Sequence, residues 1–172
     1  MGFFRQLLGS KAKSPLISAN SSPATGSDPA QRAAIWQQVY TQGWSPSGSA
    51  NASMPIVSAL DFFNGNFEEG SIAANVVGMK DEPSHETFRE VLLKVAAYPE
   101  VQLVLVALDP EEESSWPYSD TVYILTTATK EQVCQWTAPL KPDDVSEGWS
   151  NVKQGHIPAL KPGVHVWRLW WD

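Results

Sequence analysis

One cysteine and three histidines are all that the 172 residues supply of thiol and imidazole chemistry. A single thiol, Cys134, excludes an intramolecular disulfide and leaves no cysteine-based zinc pattern, so a reducing, cytoplasmic setting is the natural expectation. Long apolar runs are missing too. No stretch approaches the roughly 18 residues of a membrane span, and residues 1–9 lack the apolar core, about 7–15 residues, of a signal peptide. Gly2 invites a myristoylation reading, but Gln6 stands where Ser or Thr is required. There is no P-loop, dinucleotide fingerprint, Gly-x-Ser-x-Gly elbow or His-Glu-x-x-His. The sequence therefore points to no catalytic residue, no cofactor and no metal ligand.

Positive charge is also scarce. Twelve basic residues face nineteen acidic ones. Arg5, Lys11 and Lys13 are the only charges in residues 1–27, so +3 lies there and the net −7 leaves −10 for the rest. An acidic body disfavours nucleic acid and anionic membrane as partners and suits a basic one. Residues 1–27 otherwise read as a flexible tail: a short apolar opening (Phe3, Phe4, Leu7, Leu8) precedes a Ser-, Ala- and Pro-rich stretch that cannot repay its ordering entropy. At most this segment makes weak peripheral contact with a membrane or partner.

What is plentiful is tryptophan. Three of eight lie in the last six residues, and both faces of residues 164–172 are mainly apolar, which suits a strand covered on both sides. Upstream, Asp28-Pro29-Ala30-Gln31 opens a helix bearing Ile35, Trp36, Val39 and Tyr40, with Gly43 as its stop. Ser58 opens about one helical turn after a short strand at residues 55–57. Residues 71–77 read as a strand. Ser84 or Asp81 caps a helix whose stripe is Phe88, Val91, Leu92, Val95 and Ala96. Residues 101–108 and 120–127 make an antiparallel pair. Thr129 and Gln132 form a capping box for a last helix, and residues 141–162 read as a long irregular connection. The expectation is one α+β domain over residues 28–172. It has a mostly antiparallel sheet of about five strands, about three helices, and the Trp-rich last strand placed centrally.

Candidate binding residues follow from carboxylates beside aromatics. Residues 64–70 are a glycine-framed turn presenting Glu68 and Glu69 without the spacing of a calcium loop. Glu111, Glu112 and Glu113 repel one another and stay in water, while Trp116 and Tyr118 follow them in the same loop. That combination suits a protein interface facing a basic partner. Asp143, Asp144 and Glu147 lack the phosphate-cradling glycines of a magnesium site and read as an acidic turn anchored by Trp149. Cys134 reads as a small helical hydrophobe. Trp44 and Trp149 join Trp116 as surface candidates.

The profile is that of a non-enzymatic, cytosolic protein-binding module, of which an acidic immunity or antitoxin-like inhibitor is one concrete form. A hydrolase or a small-molecule or carbohydrate binder without a recognisable motif is the alternative, because acidic residues and tryptophans are abundant enough to supply either. No oligomeric state follows from the sequence.

Overall fold

The computed structural model describes residues 26–45 and 53–172. The expected tail falls almost wholly in residues 1–25, outside the described residues.

Helix α1 (Pro29–Thr41) starts where the Asp28 carboxylate accepts the Ala30 and Gln31 amides, with Pro29 in the first turn. The Gln31 side chain does not close a box on Asp28; it accepts a bond from Asn64 Nδ2 at 2.9 Å. Strand β1 (Ile56–Ser58) runs into the five-residue helix α2 (Ala59–Phe63), capped by the Ser58 hydroxyl. Helix α3 (His85–Ala96), capped by Ser84, buries Phe88, Leu92 and Val95. Strands β2 (Val101–Asp109) and β3 (Tyr118–Thr126) form the central hairpin. Helix α4 (Lys130–Thr137) carries the Thr129–Gln132 capping box. Strands β4 (Asp144–Glu147) and β5 (His165–Trp170) complete the sheet.

The fold is α+β: among the described residues there is one antiparallel sheet, in the order β1-β2-β3-β5-β4, with four α-helices. The fourth helix is the short α2, which the sequence showed only as one turn. Strand β5 is paired on both sides, to β3 and to β4.

The strand alternation sorts the two faces. Val104, Val106, Leu108, Val122, Ile124 and Leu169 point into the core made with the helices. Ile56, Leu105, Ala107, Tyr123, Leu125 and Val166 point the other way. That second face is covered by the chain around residues 149–152, where Trp149 lies 4.6 Å from the Tyr123 ring and the Tyr123 hydroxyl donates to the Ser150 carbonyl at 2.6 Å.

The C-terminal tryptophans lock this arrangement. Trp171 is 1% exposed, packs edge-on to Phe88 and donates its indole N–H to the Leu140 carbonyl at 2.8 Å. Trp167 donates to the Ala128 carbonyl at 3.1 Å.

Two segments differ from the sequence reading. Residues 71–77 are not a strand. A 3-10 turn (Glu69–Ser71) and a single bridge from Ile72 to Ser119 are all that forms, because Ala73 takes φ 45° and its carbonyl accepts both Val76 and Val77 amides. Conversely, the stretch from 141 to 162 contains β4. Its Asp-Val-Ser-Glu sequence is short and polar, as a sheet edge tends to be.

Candidate acidic cleft and its neighbouring cavity

The loop between β2 and β3 (residues 110–117) is fastened to the body. Trp36 Nε1 donates to the Ser115 carbonyl at 3.0 Å, the Tyr40 hydroxyl donates to Glu113, and the Trp116 amide donates to Glu68 Oε2 at 2.9 Å. The Glu113 carboxylate holds the Tyr40 hydroxyl above its ordinary pKa.

Trp116 is therefore not a surface anchor. It is 3% exposed and packs edge-on to Phe62. Indole area of this size is far more stable against the core than in water beside three carboxylates. Glu113 is likewise tied to α1 rather than free. Glu68 serves as a clasp: besides the Trp116 amide it accepts the Ser27 hydroxyl at 2.6 Å and lies 4.0 Å from Arg32. Glu69 is turned to the start of α3, accepting the His85 amide at 3.3 Å. Glu111 and Glu112 stay in water, and Tyr118 is half-buried. The other two surface candidates pack on aromatics, Trp44 on Trp36 and Tyr40 and Trp149 on Tyr123.

The fastened loop borders an open cleft of about 630 Å³. Glu68, Glu111 and Asp120 supply its carboxylates, Trp116 and Tyr118 its aromatic wall, and Ser71, Asn75 and Ser115 further polar groups. Burial pushes the Tyr118 hydroxyl up, and the Asp120 charge adds to it. Of the residues singled out in the sequence, the structure brings Glu68, Glu111, Trp116 and Tyr118 together here. It sends Glu69 to α3 and Glu113 to α1.

The sequence reading missed what lies on the other side of Asp120. Between Tyr118 and Thr121 strand β3 carries one more residue than β2 does between Ala107 and Asp109, a bulge. Bulges re-aim side chains. Asp120 consequently borders a second cavity, of about 340 Å³, lined by Met54, Asp109, Thr121, Ser150, Asn151, Arg168 and Trp170. Partial burial raises the Asp109 carboxyl above its ordinary range, with the charges of Glu111 and Asp120 behind it. The Thr121 hydroxyl donates to Asp120 Oδ1 at 2.7 Å. Arg168 donates from Nη2 to Asp144 at 2.9 Å, while its Nε is buried without a partner. A signal for the carboxylate pair existed: Asp109 and Asp120 flank one loop joining two paired strands, so their backbones must be neighbours. Among the described residues, no group of three or more His, Cys, Asp or Glu side chains is arranged to hold a metal.

Comparison with known proteins decides the family. The model described as the uncharacterized protein YfbO family matches residues 31–169. This chain belongs to that family. A relative from Escherichia coli (strain K12), uncharacterized protein YfbO, is 33% identical over 119 residues, which is 69% of this chain and 83% of the relative. No solved structure matches. The YfbO family span takes in every residue lining the two cavities except Trp170. Among the described residues, no helix is long and apolar enough to cross a membrane.

Proposed function

We propose that this member of the YfbO family is a protein-binding module whose acidic cleft receives a basic side chain of a protein partner, in the manner of a small acidic inhibitor such as an immunity protein or antitoxin. The observation that carries this reading is the convergence of Glu68, Glu111 and Asp120 around the half-buried Tyr118, in a cleft whose rim loop is already fastened. A preorganised rim loses little conformational freedom on binding. Glu111 and Glu112 extend the negative field into solvent, where it steers a cationic partner. The cytosol is the compartment this reading implies, in keeping with one free cysteine.

The test is affinity capture from the source cell with the wild-type chain and with the E111Q/E112Q/D120N variant, followed by association kinetics on any captured protein. The expected result is a basic protein retained by the wild type alone, with association slowed and its salt dependence flattened in the variant. Equal capture of the same proteins by both chains would overturn the reading.

A further inference from the structure

The 340 Å³ cavity beyond Asp120 differs in kind from the acidic cleft because it holds both signs of charge. Asp109 and Asp120 supply two carboxylates, and Arg168 supplies a guanidinium. The opposite charges do not neutralise one another across the space. Arg168 makes its ion pair with Asp144, which is outside the lining, and makes none with Asp109 or Asp120. The strand register explains the separation. Arg168 of β5 lies opposite Tyr123 of β3, whereas Asp109 of β2 lies opposite Tyr118, five residues away along β3 and one strand further across the sheet.

Polar groups fill the rest of the wall. Thr121, Ser150 and Asn151 offer hydroxyl and amide groups, and Trp170 with Met54 supplies an apolar patch. The volume falls at the small end of ligand cavities, about 300–1,000 Å³. That suits a compact molecule.

We infer that this cavity binds a small zwitterion of the α-amino acid class. Asp109 and Asp120 receive the ammonium group, Arg168 receives the carboxylate, and Trp170 lies against the side chain. Both ends are charge-assisted hydrogen bonds, the strong kind. Neither a simple amine nor a simple carboxylate satisfies both ends. This site is separate from the partner-binding reading and shares only Asp120 with it.

The experiment is a thermal-shift screen of the full chain with the L-α-amino acids at millimolar concentration, followed by calorimetric titration of the hits. One or more amino acids should raise the melting temperature. R168Q and D109N should each weaken binding about 10–100-fold, as for loss of one hydrogen bond to a charged group. The matched amine and carboxylate, such as propylamine and propionate for alanine, should bind correspondingly more weakly. E111Q should weaken any basic protein at the acidic cleft while changing amino-acid binding far less than D109N does, because Glu111 reaches Asp109 only through its charge, and that difference separates failure of one site from failure of the other. If R168Q does not fold, D109N decides, since Asp109 is solvent-facing at a strand end. Absence of any stabilising amino acid would overturn the inference. So would binding insensitive to D109N, or an amine that binds as tightly as the zwitterion.

Discussion

Two buried tryptophans allow a paired substitution whose outcomes diverge. Trp116 and Trp171 are 3% and 1% exposed, but only Trp171 has a partner for its indole N–H, the Leu140 carbonyl at 2.8 Å. Trp116 Nε1 is buried with none. Replacing either by Phe removes about three buried heavy atoms, a loss of about 2 kcal/mol at roughly 0.8 kcal/mol for each buried carbon. The polar contribution then has opposite signs. At position 171 the buried Leu140 carbonyl loses its donor, which costs a further ~1–3 kcal/mol. At position 116 an unsatisfied donor disappears, which returns about the same amount. W171F should therefore destabilise the chain by ~3–5 kcal/mol and W116F should lie within about 1 kcal/mol of the wild type. Equilibrium urea unfolding followed by far-ultraviolet circular dichroism measures both without relying on tryptophan emission. Equal losses in the two variants would refute the assignment of Trp116 as a packed side chain with an orphaned N–H. So would a larger loss for W116F.

Other expected outcomes are more local. Leu92 is fully buried on α3, so L92A should cost ~2–5 kcal/mol in the same unfolding assay. Gly65 sits at φ +75°, and a Cβ there would meet the Asp28 and Gln31 side chains at 2.9 Å. G65A should therefore lower stability by at least the ~1–2 kcal/mol of a left-handed non-glycine residue and shift the start of α1, visible as loss of amide protection in hydrogen exchange. His85 is 4% exposed with its Nε2 unpartnered, and burial lowers its pKa against the opposing pull of Glu69 and Glu86. The unfolded chain thus binds this proton more readily than the folded one. Its contribution to stability is complete above about pH 6.5 and is lost progressively as pH falls below that value to the lowered pKa of the folded state. Melting temperatures measured from neutral to mildly acid pH should drop more steeply for the wild type than for H85Q.

Helix starts were legible because capping is local: Asp28, Ser58, Ser84 and Thr129 each cap a helix within three residues of themselves. Strands β2 and β5 were legible because burial on both faces writes a mainly apolar run, and β3 because it is rich in β-branched and aromatic residues. Strand β4 left no such trace, being a polar edge whose single neighbour lies about twenty residues downstream. Residues 71–77 alternate like a strand, yet one left-handed residue, Ala73, cancels the extension. The acidic-aromatic loop was found by composition. Composition does not say which way a tryptophan turns, and Trp116 turned inward. The Asp109–Asp120 pair could be placed from the hairpin, but the mixed-charge cavity could not, since Met54, Asn151 and Arg168 join it only once β5 has docked between β3 and β4.

That insertion of β5 also sets a timetable during synthesis. Among the described strands, one edge of β3 is completed only by β5, and β4, although made earlier, has no other neighbour. Between Thr126 and Trp170 the ribosome adds 44 residues, about 2–9 s of translation at ~5–20 residues per second. Until β5 is made, a strand edge rich in Val, Tyr, Ile and Leu lacks its partner. The order of the strands thus leaves that edge of β3 without its neighbour until the end of the described chain is made. Yield of soluble protein should respond to how quickly residues 127–170 are translated.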